Sequence, residues 1–191
     1  MRSDHLRLFN TALVGLLISM NDDELWNFLL ENEERIKFLS DFNNNSRTRP
    51  KTSALYSYFY GIESLRERYL DEIEEYREGV IFTLIMDFCF KDEKVSMGYH
   101  AQGGYYDNAD SGDVKTSDDI MPPVDEESDA GYEAEYFHLL EPHHLENIIQ
   151  AMEKNFDKLT VNTREDIDKI KAMKEFCRAN EGYNAAYVYN L

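Results

Sequence analysis

The chain has 191 residues, of which 42% are hydrophobic and 13% aromatic, so it is long enough and apolar enough to bury a core. Its formal net charge is -18, from 38 acidic against 20 basic residues. A charge of this sign repels phosphate groups, which argues against direct binding to nucleic acid or to an anionic membrane. It attracts basic protein surfaces, although solubility alone accounts for many acidic compositions.

The cysteine content and the N-terminal stretch favour a cytoplasmic protein. Cys89 and Cys177 are the two cysteines, too few for a disulfide framework or a thiolate zinc site. The apolar stretch from Ala12 to Met20 is short and has no small-residue cleavage site, so it lacks the layout of a signal peptide. No stretch approaches the roughly 20 apolar residues of a membrane span.

Helical spacing of apolar residues begins close to the N-terminus. The period from Leu6 to Met20 predicts a first helix. Asn21 followed by Glu24 has the spacing of a capping box, which predicts the start of a second helix with apolar positions from Leu25 to Phe42. A third, amphipathic helix is predicted from Ser53 to Tyr76.

The spacing of the apolar residues changes after Gly79. Val80 to Phe90 is dense in β-branched and aromatic residues, which predicts a central strand, and a turn at residues 91–93 leads to a second predicted strand from Lys94 to His100. We therefore expect an antiparallel hairpin over 79–100. A buried helix remains an alternative for the apolar run.

The next segment, from Gln102 to Ala130, is poor in large aliphatic residues and rich in Gly, Asp, Ser and Pro. Such a composition cannot bury enough apolar surface to offset the entropy of ordering, so we expect a long flexible insertion. Between Asp107 and Glu135, eleven acidic residues stand against Lys115 alone, so this piece holds ten of the 18 net negative charges. The acidity is concentrated there.

Regular structure is expected to return at Tyr132 to Leu140, which predicts a strand. Pro142 at a first helical position predicts a helix over 142–159. Thr163 with Asp166 is expected to cap a further helix, and residues 183–191 form a terminal β-like segment that could add an edge strand.

Together these elements predict one α+β domain over 1–191, with N-terminal and C-terminal helices packed on a small, mostly antiparallel sheet. Its parts are a helical region (1–78), the hairpin (79–100), the acidic insertion (101–131), and a strand, two helices and a terminal strand (132–191).

The richest group of residues with catalytic side chains is His138, Glu141, His143, His144 and Glu146. They lie across a predicted strand end and helix start, where a metal or general-base site could form and the acidic segment could act as a lid. Zinc sites on helices use histidines at i and i+4, whereas His143 and His144 are adjacent and point to different faces. Exposed histidines at a helix N-terminus are the simpler interpretation. A small metal-dependent enzyme is therefore the alternative rather than the leading hypothesis.

Other chemistries lack a motif. There is no Gly-x-Ser-x-Gly nucleophile elbow, and neither cysteine has a cationic setting. The residues from Asp107 to Asp113 resemble a calcium loop in composition, but their spacing puts Ala109 and Ser111 where ligands belong. We therefore expect no cofactor, and a non-enzymatic protein is the leading hypothesis, with the metal-dependent enzyme kept as the alternative.

The remaining signal is the acidic segment itself, in which tyrosines are interleaved with carboxylates. Tyrosine provides large contact area at protein interfaces, while carboxylates attract a basic partner. The residues predicted to contact that partner are Tyr105, Tyr106, Asp107, Asp110, Asp113, Asp118, Asp119, Asp125, Glu126, Glu127, Asp129 and Tyr132. Glu67 to Glu75, on the outward face of the third predicted helix, would add to this surface.

The leading hypothesis is thus a protein that binds and neutralises a basic protein, such as a toxin or a nucleic-acid enzyme. Immunity proteins, antitoxin-like inhibitors and nucleic-acid mimics share this character. A solvated surface loop is the simpler interpretation of the segment, and a homo-oligomeric scaffold, such as a homodimer, is a third hypothesis.

Overall fold

The computed structural model describes residues 4–32, 34–35, 77–78, 80–82, 84–98, 100, 104–109, 114–121, 136–158 and 161–189. Backbone contacts divide the chain into two compact units. The first comprises Met1–Ala12, Phe90–Met121 and Glu133–Leu191, and the second comprises Leu13–Cys89 and Pro122–Tyr132. The single domain expected from the sequence stays a prediction. The helix predicted over 53–76, with Glu67 to Glu75, lies outside the described residues.

Within the described residues five strands form one antiparallel sheet in the first unit. They are β1 (His5–Asn10), β2 (Phe90–Ser96), β3 (Lys115–Thr116), β4 (Tyr136–Leu140) and β5 (Tyr183–Tyr189). Their order is β2-β1-β5-β4-β3, and every neighbouring pair is antiparallel. With the helices described below, this sheet confirms the α+β class.

The start of the chain differs from its prediction, because the residues expected to begin a helix form β1. The helix α1 (Thr11–Ser19) starts only after the strand ends. Leu6 and Leu8 pack on one face of the sheet, while the Phe9 ring lies 4.6 Å from Phe90 on the other face. Leu6 and Leu8 do alternate with the half-buried His5 and Arg7, as in a strand, but this alternation covers only four residues and is followed at once by the helical spacing of α1.

The capping box at Asn21 is confirmed. The Asn21 side chain accepts a hydrogen bond from the Glu24 backbone N–H at 3.0 Å, and the Glu24 carboxylate accepts one from the Asn21 N–H at 2.8 Å. The helix α2 (Asp22–Glu31) begins there and buries Leu25 and Leu29.

The hairpin expected over 79–100 is wrong. Residues 80–82 and 84–88 are helical, as the alternative interpretation of the apolar run held. The run is buried at Val80 to Phe82, Leu84 and Ile85, and an element buried on all sides shows no period that separates a helix from a strand. The strand β2 starts at Phe90, ends at Ser96 rather than at His100, and pairs with β1 through Leu6 opposite Val95.

Two helices cover the face of the sheet that carries Leu6 and Leu8. The predicted helix at Pro142 is confirmed as α3 (Pro142–Lys154), and the last helix is α4 (Val161–Ala179). Their buried side chains form one cluster with the sheet: Leu145, Ile148, Ile149, Met152, Ile167, Ile170, Met173 and Cys177. The prediction of a cap at Thr163 and Asp166 is wrong, because α4 starts two residues earlier and Thr163 is buried within it.

The terminal segment is a central strand rather than an edge strand, since β5 pairs with both β1 and β4. Gly182, with φ of 85°, makes the turn between α4 and β5, and its carbonyl accepts hydrogen bonds from the Thr11 N–H and hydroxyl. Among the described helices, none has the length and hydropathy that crossing a membrane requires.

Candidate functional site

The structure describes part of the predicted partner-binding segment. Tyr105, Tyr106, Asp107, Asp118 and Asp119 lie in the described stretches 104–109 and 114–121 of the first unit. The other seven predicted contact residues lie outside the described residues: Asp110, Asp113, Asp125, Glu126, Glu127, Asp129 and Tyr132.

Tyr105 belongs to the core. Its side chain is only 9% exposed and joins the cluster formed by α3, α4 and the sheet. Its backbone N–H donates to the His100 carbonyl at 3.1 Å, and the two rings lie 6.1 Å apart. Little of this ring is available to a partner, so its contribution is to anchor the segment.

Tyr106 is held against the sheet by stacking and by a hydrogen bond. It opens a short 3₁₀ turn (Tyr106–Asn108), and its ring stacks on Tyr187 of β5 with centroids 3.8 Å apart and an angle of 16°. The Tyr106 hydroxyl bonds to Nδ1 of His138 in β4. Opposite it, the Tyr189 hydroxyl lies 3.1 Å from His138 Nε2.

Each ring nitrogen of His138 therefore lies within hydrogen-bond distance of a tyrosine hydroxyl. A neutral imidazole donates from one nitrogen and accepts at the other, and a phenol hydroxyl can play either role. Both ring nitrogens are therefore satisfied without a metal ion. His138 also lies opposite Tyr187 in β5 and opposite Thr116 in β3, so three neighbouring elements meet at this side chain.

The three described carboxylates of the segment are exposed around this point. Asp107 follows Tyr106, and Asp118 and Asp119 belong to the 3₁₀ turn (Ser117–Asp119) that follows β3. Tyr106 bonds to His138, and Thr116 pairs with the same histidine. The two 3₁₀ turns that carry these carboxylates therefore both start beside His138, at the end of the sheet formed by β4 and β3.

Two hydrogen bonds from Thr116 favour the charged state of Asp119. The Thr116 backbone N–H donates to Asp119 Oδ2 at 2.7 Å, and the Thr116 hydroxyl lies 3.0 Å from the same oxygen. These two hydrogen bonds hold the pKa of Asp119 below its usual range, with a smaller contribution from the charge of Lys115. The carboxylate therefore stays negative at lower pH than an ordinary aspartate.

The predicted histidine and glutamate group has a structural role at the start of α3. His144 is buried, and its Nδ1 accepts a hydrogen bond from the Glu141 backbone N–H at 2.9 Å. The exposed His143 ring lies 3.9 Å from the His144 ring. Glu141 Oε1 accepts a hydrogen bond from the Asn184 side-chain amide at 3.2 Å. The hydrogen bond to His144 satisfies the backbone N–H of the residue that precedes α3, and the hydrogen bond from Asn184 holds the Glu141 side chain.

Glu146 belongs to an ion pair between α3 and α4. The Lys174 ammonium donates to Glu146 Oε2 at 2.5 Å, and the Gln150 amide donates to Oε1 at 3.1 Å. These hydrogen bonds lower the pKa of Glu146. Among the described residues, no three His, Cys, Asp or Glu side chains come together as a metal site. The predicted convergence of His138 with His143 or His144 stays a prediction.

Sequence reasoning missed the partners of His138. Tyr187 and Tyr189 lie about 50 residues from it along the chain, and only the pairing of β4 with β5 brings them together. The contact between the buried His100 and the half-buried Asp166, with Nε2 and Oδ2 3.0 Å apart, was also missed, because the two residues are 66 positions apart along the chain. No local spacing signals such contacts, because they depend on how elements distant in sequence pack together.

Comparison with protein-family models, with curated proteins and with solved structures found no match for this chain.

Proposed function

We propose that this protein is a non-enzymatic inhibitor of the immunity-protein or antitoxin kind, which binds a basic protein through its acidic segment. The observation that carries the proposal is the charge asymmetry of the segment from Asp107 to Glu135, with eleven carboxylates against Lys115. A toxin, a nuclease or another nucleic-acid enzyme has the cationic surface that such a segment attracts.

The described geometry supports the proposal in two ways. Asp107, Asp118 and Asp119 are exposed, and Asp119 keeps its charge at lower pH than an ordinary aspartate. The segment also starts from a fixed point, because Tyr105 is buried and Tyr106 is bonded to His138. Fixing one end of a binding segment reduces the conformational entropy lost on association.

The experiment is affinity capture from an extract of the source organism with two variants as bait. The first neutralises four carboxylates of the segment. Its substitutions are Asp107→Asn, Asp118→Asn, Glu126→Gln and Glu127→Gln. The matched control removes four negative charges from exposed positions of the first unit that lie outside the acidic segment. Its substitutions are Glu93→Gln, Asp157→Asn, Glu165→Gln and Asp168→Asn.

We expect the wild type and the control to retain the same basic protein and to release it in high salt, because the distance over which exposed charges interact falls from about 8 Å at physiological ionic strength to about 3 Å at 1 M salt. The segment variant should lose that protein. Equal retention by all three baits, or a captured partner without a basic surface, would contradict the proposal.

A metal-dependent enzyme is the weaker candidate. Glu146 is paired with Lys174, His144 caps α3, and the two nitrogens of His138 face tyrosine hydroxyls. These contacts engage Glu146, one ring nitrogen of His144 and both ring nitrogens of His138, and no three potential ligands come together among the described residues.

A further inference from the structure

Three tyrosines surround His138 on β4. The Tyr106 hydroxyl is bonded to Nδ1, and the Tyr189 hydroxyl lies 3.1 Å from Nε2. Tyr187 lies opposite His138 in the ladder between β4 and β5, and its ring stacks on that of Tyr106 with centroids 3.8 Å apart. A single hydrogen bond between a phenol and an imidazole is a common structural contact, whereas three phenols around one imidazole form a cluster that can carry chemistry.

Two of the three phenols each have a proton acceptor. Tyr106 has the imidazole of His138. The Tyr187 hydroxyl donates to the buried Asp4, with 2.9 Å between its oxygen and Asp4 Oδ2. A base has to lie within hydrogen-bond reach of the proton that it accepts, and both pairs meet this condition. Because an imidazole is a stronger base than a carboxylate, the pair of Tyr106 and His138 is the better suited to proton transfer.

The reaction that such a pair favours is one-electron oxidation of the phenol. Loss of an electron leaves a positive charge on the ring, and a charge in a half-buried position such as that of Tyr106 is costly unless a neighbour compensates it. His138 removes the charge from the phenol by accepting its proton. The imidazolium that results lies close to the exposed carboxylate of Asp107, the residue after Tyr106, and a carboxylate favours a positive charge nearby.

We propose that Tyr106 is a redox-active tyrosine, which a radical oxidant such as a peroxyl radical converts to a phenoxyl radical. The oxidant takes one electron from the phenol, the O–H bond breaks, and the proton goes to Nδ1 of His138. The products are a neutral phenoxyl radical, an imidazolium and a peroxide anion, which takes a proton from water. A one-electron reductant such as ascorbate then restores the phenol, whose proton returns from Nδ1.

The neighbours of the pair set the conditions for this reaction. Nδ1 of His138 accepts the phenol proton when the ring proton is on Nε2, from which it is donated to the Tyr189 hydroxyl. Tyr189 is therefore a positioning residue, which favours the accepting tautomer. Tyr187 covers one face of the Tyr106 ring and shields the radical on that side. The proposal goes beyond the proposed function, because it assigns a redox activity that needs no bound protein.

The test uses the full-length protein and tris(bipyridine)ruthenium(III), generated by a light flash in the presence of persulfate, as the oxidant. The rate of ruthenium reduction and the tyrosyl signal in EPR after freeze-quenching are measured. Dilute buffer at neutral pH leaves an exposed phenol with water as its base. Tyr106→Phe removes the phenol, and His138→Gln keeps a hydrogen-bond acceptor but removes the base. Tyr183→Phe is the matched control, at a half-buried tyrosine whose hydroxyl bonds to no described residue.

We expect Tyr106→Phe to lose most of the wild-type tyrosyl signal and Tyr183→Phe to keep it. His138→Gln should slow the oxidation about a hundredfold, at the lower end of what a positioned base contributes. Oxidation of the wild type should also be slower in heavy water, because the proton moves with the electron. The measurement in heavy water needs no substitution, and far-UV circular dichroism verifies that each variant is folded.

Three outcomes would overturn the proposal. One is an equal radical yield from the wild type and Tyr106→Phe. Another is a signal that Tyr187→Phe removes and Tyr106→Phe keeps, which would assign the oxidation to the phenol bonded to Asp4. The third is a rate that neither His138→Gln nor heavy water changes, which would mean that no proton passes to the imidazole.

Discussion

Replacing Tyr106 by phenylalanine tests whether the acidic segment is fixed to the sheet through His138. The substitution keeps the ring that stacks on Tyr187 and removes the hydroxyl bonded to His138 Nδ1. A hydrogen bond between half-buried groups contributes about 1 kcal/mol net, and leaving a partner unsatisfied raises the cost, so we expect a loss of about 1 to 1.5 kcal/mol. Tyr106→Ala removes the stack as well and should cost about 3 kcal/mol.

The assay is urea unfolding followed by far-UV circular dichroism, with native-state hydrogen exchange at the amides of β4 and β5. Hydrogen exchange is needed because a chain with two compact units need not unfold in one step. Tyr183→Phe is the matched control, since the Tyr183 hydroxyl bonds to no described residue and its loss should cost nearly nothing.

A double-mutant cycle measures the interaction between Tyr106 and His138 directly. If the Tyr106 hydroxyl stabilises through His138, then Tyr106→Phe in a His138→Ala background should cost nothing further, with a coupling energy of about 1 kcal/mol. The reasoning is refuted if Tyr106→Phe costs the same in both backgrounds, or if protection in β4 and β5 does not change.

Three further predictions concern backbone geometry, thiol chemistry and pH. Gly182→Ala should lower the free energy of unfolding in urea by about 2 to 3 kcal/mol, because φ is 85° and the new Cβ would lie 2.7 Å from Ala12 Cβ. Gly104→Ala is the comparison, since its new Cβ would lie 3.7 Å from the nearest atom. A loss of stability for Gly182→Ala no greater than that for Gly104→Ala would contradict this prediction. Burial raises the pKa of Cys89 to about 12 and of Cys177 to about 11. Iodoacetamide at pH 8 should therefore alkylate both thiols readily only in denaturant. Fast labelling of the folded protein would contradict this prediction. Thr116→Val should raise the pKa of Asp119 part of the way, since the backbone hydrogen bond remains; NMR titration checks it, and an unchanged midpoint would refute it.

The pH dependence of the stability that Asp119 contributes follows from the linkage between protonation and folding. Its folded pKa lies below the unfolded value of about 3.9. The stabilisation it contributes is therefore present above that unfolded value, and it is lost as the pH falls through the folded pKa.

Local signals predicted the elements that depend on nearby residues. The capping box at Asn21 and Glu24 and the proline at the start of α3 each need only a few positions of sequence, and both were confirmed. Tertiary packing decided the rest. Leu6 to Phe9 became a strand because β2 and β5 pair with it, and the run from Val80 became helical because full burial left no period to interpret.

In the candidate site, too, some features were predictable from the local sequence and others depended on tertiary packing. The charge of the acidic segment is a property of composition, so the exposed positions of Asp107, Asp118 and Asp119 were accessible to prediction. The anchoring of Tyr106 was not, because His138 is brought to it by strands that are distant in sequence. The metal hypothesis failed to find support in the described residues for a related reason, since adjacency along the chain does not determine where side chains converge.

The most direct measurement of the central claim is the salt dependence of the association rate between this protein and the basic partner recovered by capture, measured by stopped flow. The account predicts that the rate falls steeply as ionic strength rises, and that neutralising Asp107, Asp118, Glu126 and Glu127 flattens this dependence more than removing four charges elsewhere. An association rate that is independent of salt, or the same slope for both four-charge variants, would contradict it.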